Sequence, residues 1–134
     1  MRQQSLEVAG LGHGSAPIPM GCRVGNVIMT SGISGKDPAT GRLPEDAEAQ
    51  AVLCFENLKA VLAAGGMGLG DVVKVTVYIA EEAHRAAVNA PWLACWPDPH
   101  HRPARHALTL PLRGGVKLQI EAFAVAPTPG IQET

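Results

Sequence analysis

Val116-Lys117-Leu118-Gln119-Ile120-Glu121-Ala122-Phe123-Ala124-Val125 reads as a β-strand, and the contrast between its two faces decides the fold. Side chains alternate across a strand. Val116, Leu118, Ile120, Ala122 and Ala124 therefore share an apolar face, and Lys117, Gln119, Glu121, Phe123 and Val125 share a mixed one. A carboxylate in such company is costly unless something meets it, which makes Glu121 the first site candidate. The run Ala104-Arg105-His106-Ala107-Leu108-Thr109-Leu110 predicts a second strand and sets a guanidinium in similarly apolar surroundings. Arg is the side chain best shaped to grip a planar carboxylate, so Arg105 and Glu121 are the pair to explain.

Outward from these strands, the β-branched stretch from Val24 to Ser31 predicts a strand ending at Gly32, and Asp37-Pro38-Ala39-Thr40-Gly41 is a turn-rich loop. Ala51, Cys54, Phe55, Leu58, Val61 and Leu62 recur at helical spacing. They predict an amphipathic helix from about Asp46 to Ala64, with Glu45, Asp46 and Glu48 at its positive end and Gly65 as a left-handed cap. Asp71 to Ile79 alternates, with Val73, Val75, Val77 and Ile79 expected on the core side and Val72, Lys74, Thr76 and Tyr78 on the other. Glu81 to Trp96 has helical spacing, but Pro91 removes a backbone donor. A break is expected near Asn89, with Asn89 capping the renewed helix and Pro91 in its first turn.

One sheet and two helices follow, enough to cover one face. The other face would carry Val27, Met29, Thr76, Tyr78, Ala107, Thr109, Phe123 and Val125, too apolar a surface to leave wet. An oligomer that buries it is the physical expectation, with Arg105 and Glu121 at or near a subunit junction.

A chain of 134 residues suits one domain over 1–134, and folding at this size removes roughly 68 to 70% of the unfolded chain's surface from water. Cys22, Cys54 and Cys95 form no CxxC pair and are odd in number, which argues against a disulfide framework or zinc ribbon and for a reducing, cytoplasmic setting. No signal core or membrane-spanning stretch is read. Net charge is −1 with the basic residues scattered, which argues against nucleic acid as a partner.

Each candidate has a plainer reading. Arg105 and Glu121 can be a structural ion pair. Gly65-Gly66-Met67-Gly68-Leu69-Gly70 runs from helix into strand, the reverse of a phosphate-cradling loop, and reads as a cap and turn. His100, His101 and His106 have no carboxylate or Cys at a familiar metal-binding spacing, so no metal is expected. Cys22 and Cys95 lack a recognisable base, Cys54 belongs to the core stripe, and Trp92 with Trp96 read as core. Ser31-Gly32 is ordinarily a turn, although without a side chain the Gly32 amide can also approach a ligand.

Taken in order, several segments resemble the RidA (YjgF) family, the reactive intermediate deaminases, from about Ala16 to Ala126. They are Gly25-Asn26-Val27-Ile28-Met29-Thr30-Ser31-Gly32, Asp37-Pro38 to Gly41, Gln50 with Asn57-Leu58, Gly70 to Tyr78, Val88-Asn89, Arg102-Pro103-Ala104-Arg105 and Ile120-Glu121-Ala122. The resemblance implies a chorismate-mutase-like α+β fold: one mixed sheet covered on one face by two helices, assembled as a homotrimer with a central β-barrel and pockets between subunits. It implies hydrolysis of a 2-imino or enamino acid to a 2-oxo acid and ammonia, without metal or organic cofactor. By similarity Arg105 would clamp the carboxylate, Gly32 and the Ala107 carbonyl would position substrate and water, Glu121 would orient or activate the water, and Asn89 would line the cavity.

Two departures from the family stand out: Ile18 replaces a tyrosine usual near the pocket, and Ile33 a glutamine that often follows Ser-Gly. Both imply a more apolar site and a bulkier or less polar substrate. His106, where a small residue is common, is a further polar group or simply a strand neighbour facing the other way. A non-catalytic trimer that binds a small carboxylate is the main competing reading, and RNA cleavage, attached to relatives of this family, is a third.

Overall fold

The alternation of the last strand is realised: β7 (Leu118–Val125) buries Leu118, Ile120, Ala122 and Ala124 and turns Phe123 and Val125 outward. The computed structural model describes residues 2–127, so the ends of the expected 1–134 domain lie outside the described residues. The remaining elements are β1 (Gln4–Leu6), β2 (Gly21–Val24), β3 (Val27–Thr30), β4 (Ile33–Ser34), α1 (Ala47–Ala64), β5 (Val72–Ile79), α2 (Asn89–Cys95) and β6 (Ala104–Thr109). They form one mixed sheet in the order β1-β2-β3-β7-β5-β6, with β4 also pairing β7. Only β5 and β6 run parallel. No helix among the described residues is long and apolar enough to cross a membrane.

α1 starts where its cap chemistry dictates. The Asp46 carboxylate accepts from the Ala49 amide at 2.6 Å, satisfying a donor that the first turn leaves free. Its apolar stripe packs onto the sheet, and Phe55 meets Trp92 and Trp96 edge-to-face at 6.4 and 6.1 Å, which docks α2 beside α1. Two buried amides on α1 position loops. Gln50 Nε2 donates to the Pro44 and Gly115 carbonyls, and its Oε1 accepts from Lys117 N. Asn57 Nδ2 donates to the carbonyls of Ser34 and Lys36 at 3.0 and 2.8 Å.

Five expectations are corrected. The left-handed residue expected at Gly65 falls one position later, since Gly65 has φ −101° and Gly66 φ 75°. The predicted strand from Val24 to Ser31 is a hairpin, β2 and β3, turning at Gly25-Asn26 with Gly25 at φ 57°, where a glycine-led two-residue turn needs it. In β5 the register shifts between Val72 and Lys74, so Val72 is buried while Val73, expected in the core, is 51% exposed. In β6, Arg105 and Ala107 stand beside Val75 and Val77 on the helix-covered face, whereas Ala107 and Thr109 were expected on the bare one. His106 and Leu108 face the bare side beside Thr76 and Tyr78. Finally, Asn89 is the first residue of α2 and not its cap. The turn before it, Glu82–Val88, is a 3₁₀ helix.

Candidate functional site

Arg105 lies on the edge strand with its side chain under α2. Its Nη2 donates to Asn89 Oδ1 at 2.9 Å, and its guanidinium carbon stands 5.2 Å from the centre of the Trp92 ring. Burial, and secondarily the like charge of Arg85, lower its pKa, so the cation is held at some cost. Among the described residues no carboxylate pairs with it. Asn89 and Trp92 thus fix the guanidinium without neutralising it, leaving a positioned charge with capacity for an anion. Ala107 follows two residues along β6, half-buried opposite Val77.

Glu121 stands on the other face of the sheet. Thr76 is its cross-strand partner, whereas Arg105 is level with Val75. The Tyr78 hydroxyl donates to Glu121 Oε1 at 2.5 Å. That bond, then burial, then the carboxylate's charge raise the Tyr78 pKa, because each opposes a phenolate there. Glu121 opens onto a cavity of about 220 Å³ shared with Met29, Lys74, Thr76 and Phe123. His106 lies on the same face in the same row, with Thr76 between it and Glu121.

Gly32 and Ile18 meet at a second, larger cavity of about 420 Å³, which His13, Lys36 and Gln119 also line. Close backbone approaches build it. A Cβ on Gly35 would strike the Gln50 backbone at 2.2 Å, and Gly10, at φ 84°, lies against Pro38. The chain before β2 is thereby folded against the loop that carries Lys36. His13 Nε2 bonds the Gly32 carbonyl at 3.1 Å across the cavity rim. Ile18 is 48% exposed at this rim. Ile33 is not on the wall: it is fully buried opposite Ile120, and its carbonyl accepts weakly from the Cys54 thiol. Its effect on a pocket is therefore indirect, through the position of Gly32.

The predicted residues fall in three places. Arg105, Asn89 and Ala107 lie on the covered side near the β6 edge; Gly32 and Ile18 share the large cavity, and Glu121 is on the bare face. Arg105 and Glu121 are not an intrachain ion pair. His13 and Tyr78 are contacts that the sequence reading missed. Tyr78 was legible as a bare-face neighbour of Glu121's row, but His13 sits in a stretch without periodicity.

A family model described as Endoribonuclease L-PSP matches residues 16–126. The 2-iminobutanoate/2-iminopropanoate deaminase of Escherichia coli strain K12 is 39% identical over 111 residues, 81% of this chain and 87% of that protein. The crystal structure of the E. coli YjgF gene product is similar with a TM-score of 0.83 at 34% identity, covering 92% of this chain and 99% of the other. That of E. coli TdcF with bound serine gives 0.83 at 32% identity over the same shares. The family segments quoted from the sequence, the mixed sheet with its two helices, and the match over residues 16–126 agree, and this chain belongs to the RidA (YjgF) family, described also as endoribonuclease L-PSP.

Proposed function

We propose that the protein hydrolyses a reactive 2-imino or enamino acid to a 2-oxo acid and ammonia at a site shared between copies of the chain, in a homotrimer. The observation that carries this reading is the guanidinium of Arg105, held by a neutral amide and an aromatic face and left without a carboxylate among the described residues. The cost of holding that charge half-buried is recovered when a substrate carboxylate binds it. Because Arg105 and Glu121 occupy opposite faces of one sheet, one substrate meets both only if they come from different protomers. Arg105 and Ala107 would come from one, Gly32, Ile18 and Glu121 from its neighbour. Burial of the bare face's Met29, Phe123 and Val125 is the driving force for that assembly.

The chemistry needs little more. With the carboxylate clamped, the Ala107 carbonyl and the Gly32 backbone orient the imine and a water. Glu121 takes a proton from the water as the water oxygen adds to C2 and passes it to the imine nitrogen, giving a carbinolamine; it then takes the hydroxyl proton as the C2 carbonyl forms and the C–N bond breaks, and delivers it to the nitrogen, which leaves as ammonia. Asn89, bonded to Arg105, is a positioning residue rather than a wall of the cavity. The deaminase name of the E. coli relative, and the serine, an amino acid carboxylate, bound to E. coli TdcF, support the same substrate class.

The test is imine disappearance, followed by semicarbazone trapping with amino-acid oxidase as the source. Wild type should outpace spontaneous hydrolysis, and Arg105→Ala should lose about a hundredfold or more in kcat/KM with assembly intact. Wild-type binding of 2-oxo acids without any acceleration would leave the binding-only reading in its place.

A further inference from the structure

We infer that the cavity beside Gly32 is a subsite for a second carboxylate, so that the substrate is an imino or enamino dicarboxylate. This rests on the reading above, in which Arg105 of a neighbouring protomer takes the carboxylate next to the imine. Among the residues lining the cavity only His13 and Lys36 ionise; both are basic, and neither Asp nor Glu is present. Lys36 Nζ has no hydrogen bond or ion pair among the described residues. Its backbone is fixed by Asn57, which directs the ammonium's stem from an anchored point.

His13 is more telling. The Gly32 carbonyl can only accept, so Nε2 carries the proton in that bond. Nδ1 is then the remaining polar atom of the ring, and it is buried with no partner, the one such side-chain atom among the described residues. Buried polar atoms in native folds are nearly always paired, and an exception points to a group not yet present. Imidazole can donate from both ring nitrogens, so a carboxylate entering here can be met by an Nδ1–H while Nε2–H keeps the Gly32 carbonyl, and Lys36 supplies an ammonium beside it. Leu11, Ile18, Met20 and Val116 supply the apolar part of the lining, which sets the two basic groups apart as its ionisable contacts. His13 also lies outside residues 16–126, so the family match does not account for it.

Calorimetric titration with 2-oxoglutarate and 2-oxopentanoate, product analogues of equal chain length that differ in the terminal carboxylate, tests the subsite. Wild type should bind 2-oxoglutarate about tenfold or more tightly, the worth of one charge-assisted hydrogen bond. That ratio should fall to about one in Lys36→Met and in His13→Phe. Equal affinities in wild type, or a ratio retained in both variants, overturns the subsite; loss in Lys36→Met alone overturns the part given to His13. Arg105→Ala should weaken both ligands alike. If it weakens neither while the Lys36-dependent preference persists, the shared-site reading fails and the anion subsite stands. If wild type binds neither ligand, both fail.

Discussion

On the covered face of the sheet Ile28, Val75, Val77, Leu118 and Ile120 have no exposed surface, whereas on the bare face Met29 is 51% and Phe123 37% exposed. The two faces are made by the same strands with the same alternation. Folding of one chain accounts for the first and leaves the second as an apolar surface interrupted by Glu121, Thr76, Tyr78, Lys74 and His106. A monomer gains nothing from Phe123 or Met29 in that position. Their presence is explained if another copy covers them, and the polar residues among them are then enclosed with whatever ligand they serve. Glu121 and the ionisable groups around it therefore sit where stability of the single chain does not require them.

A charge set in the middle of the bare face tests that explanation most severely. Phe123→Asp places a carboxylate in the face that the proposed assembly would dry, once per protomer, at several kcal/mol each. Sedimentation equilibrium should show the assembly replaced by monomer, while the circular dichroism of the fold is retained. An assembly of wild-type stability in this variant would show that some other surface joins the subunits. On the covered face the corresponding experiment is Leu118→Ala, which should leave the subunit count unaltered and cost about 2–5 kcal/mol in denaturant unfolding.

A smaller pair of substitutions sharpens the division within β5. Val75→Thr buries a hydroxyl in the core and should cost about 1–3 kcal/mol, whereas Val73→Thr, on the bulge, should stay within about 0.5 kcal/mol. Both are best measured in the Phe123→Asp background, so that assembly does not enter. Equal costs would mean that the register runs through β5 without the shift at Val72.

How far the sequence discloses this depends on how one-sided each element is. β7 alternates large apolar residues with polar ones along its length, and α1 combines an apolar stripe with a capping Asp46, so their faces and bounds were legible. The bulge in β5 was not, because Val72, Val73, Val75 and Val77 are the same residue and periodicity cannot tell which valine is the extra one. β6 is an edge strand whose residues are all half-buried or exposed, so its alternation carries little phase information, and Ala107 and Thr109 were expected on the wrong face. The Gly25-Asn26 hairpin did carry a signal, a turn dipeptide between valines. The site residues were legible as costly charges in apolar strands. Their separation onto two faces was not, because it depends on β5 lying between them.

The finest test concerns the hydrogen bond that fixes Glu121. Tyr78 is the only tyrosine in the chain, so the alkaline rise in tyrosinate absorbance reports on it alone. Its hydroxyl donates to Glu121, and only the neutral phenol can do so; the bond, burial and the carboxylate's charge all push its pKa above the ordinary value of 10.0. The unfolded chain releases this proton near the ordinary value and the folded chain only higher. The stabilisation is therefore complete at neutral pH, still present at pH 10, and lost as pH rises through the folded-state pKa. The wild-type midpoint should lie above 10.0, and Glu121→Gln should bring it down, since the charge that opposes the phenolate is gone while an acceptor of similar shape remains. A midpoint unchanged by Glu121→Gln would separate the two side chains and leave Glu121 without the partner that aims it. A lowered one would establish that the bare face holds its carboxylate in a fixed orientation before any substrate arrives, which is the condition under which a modest acid–base group contributes most to hydrolysis.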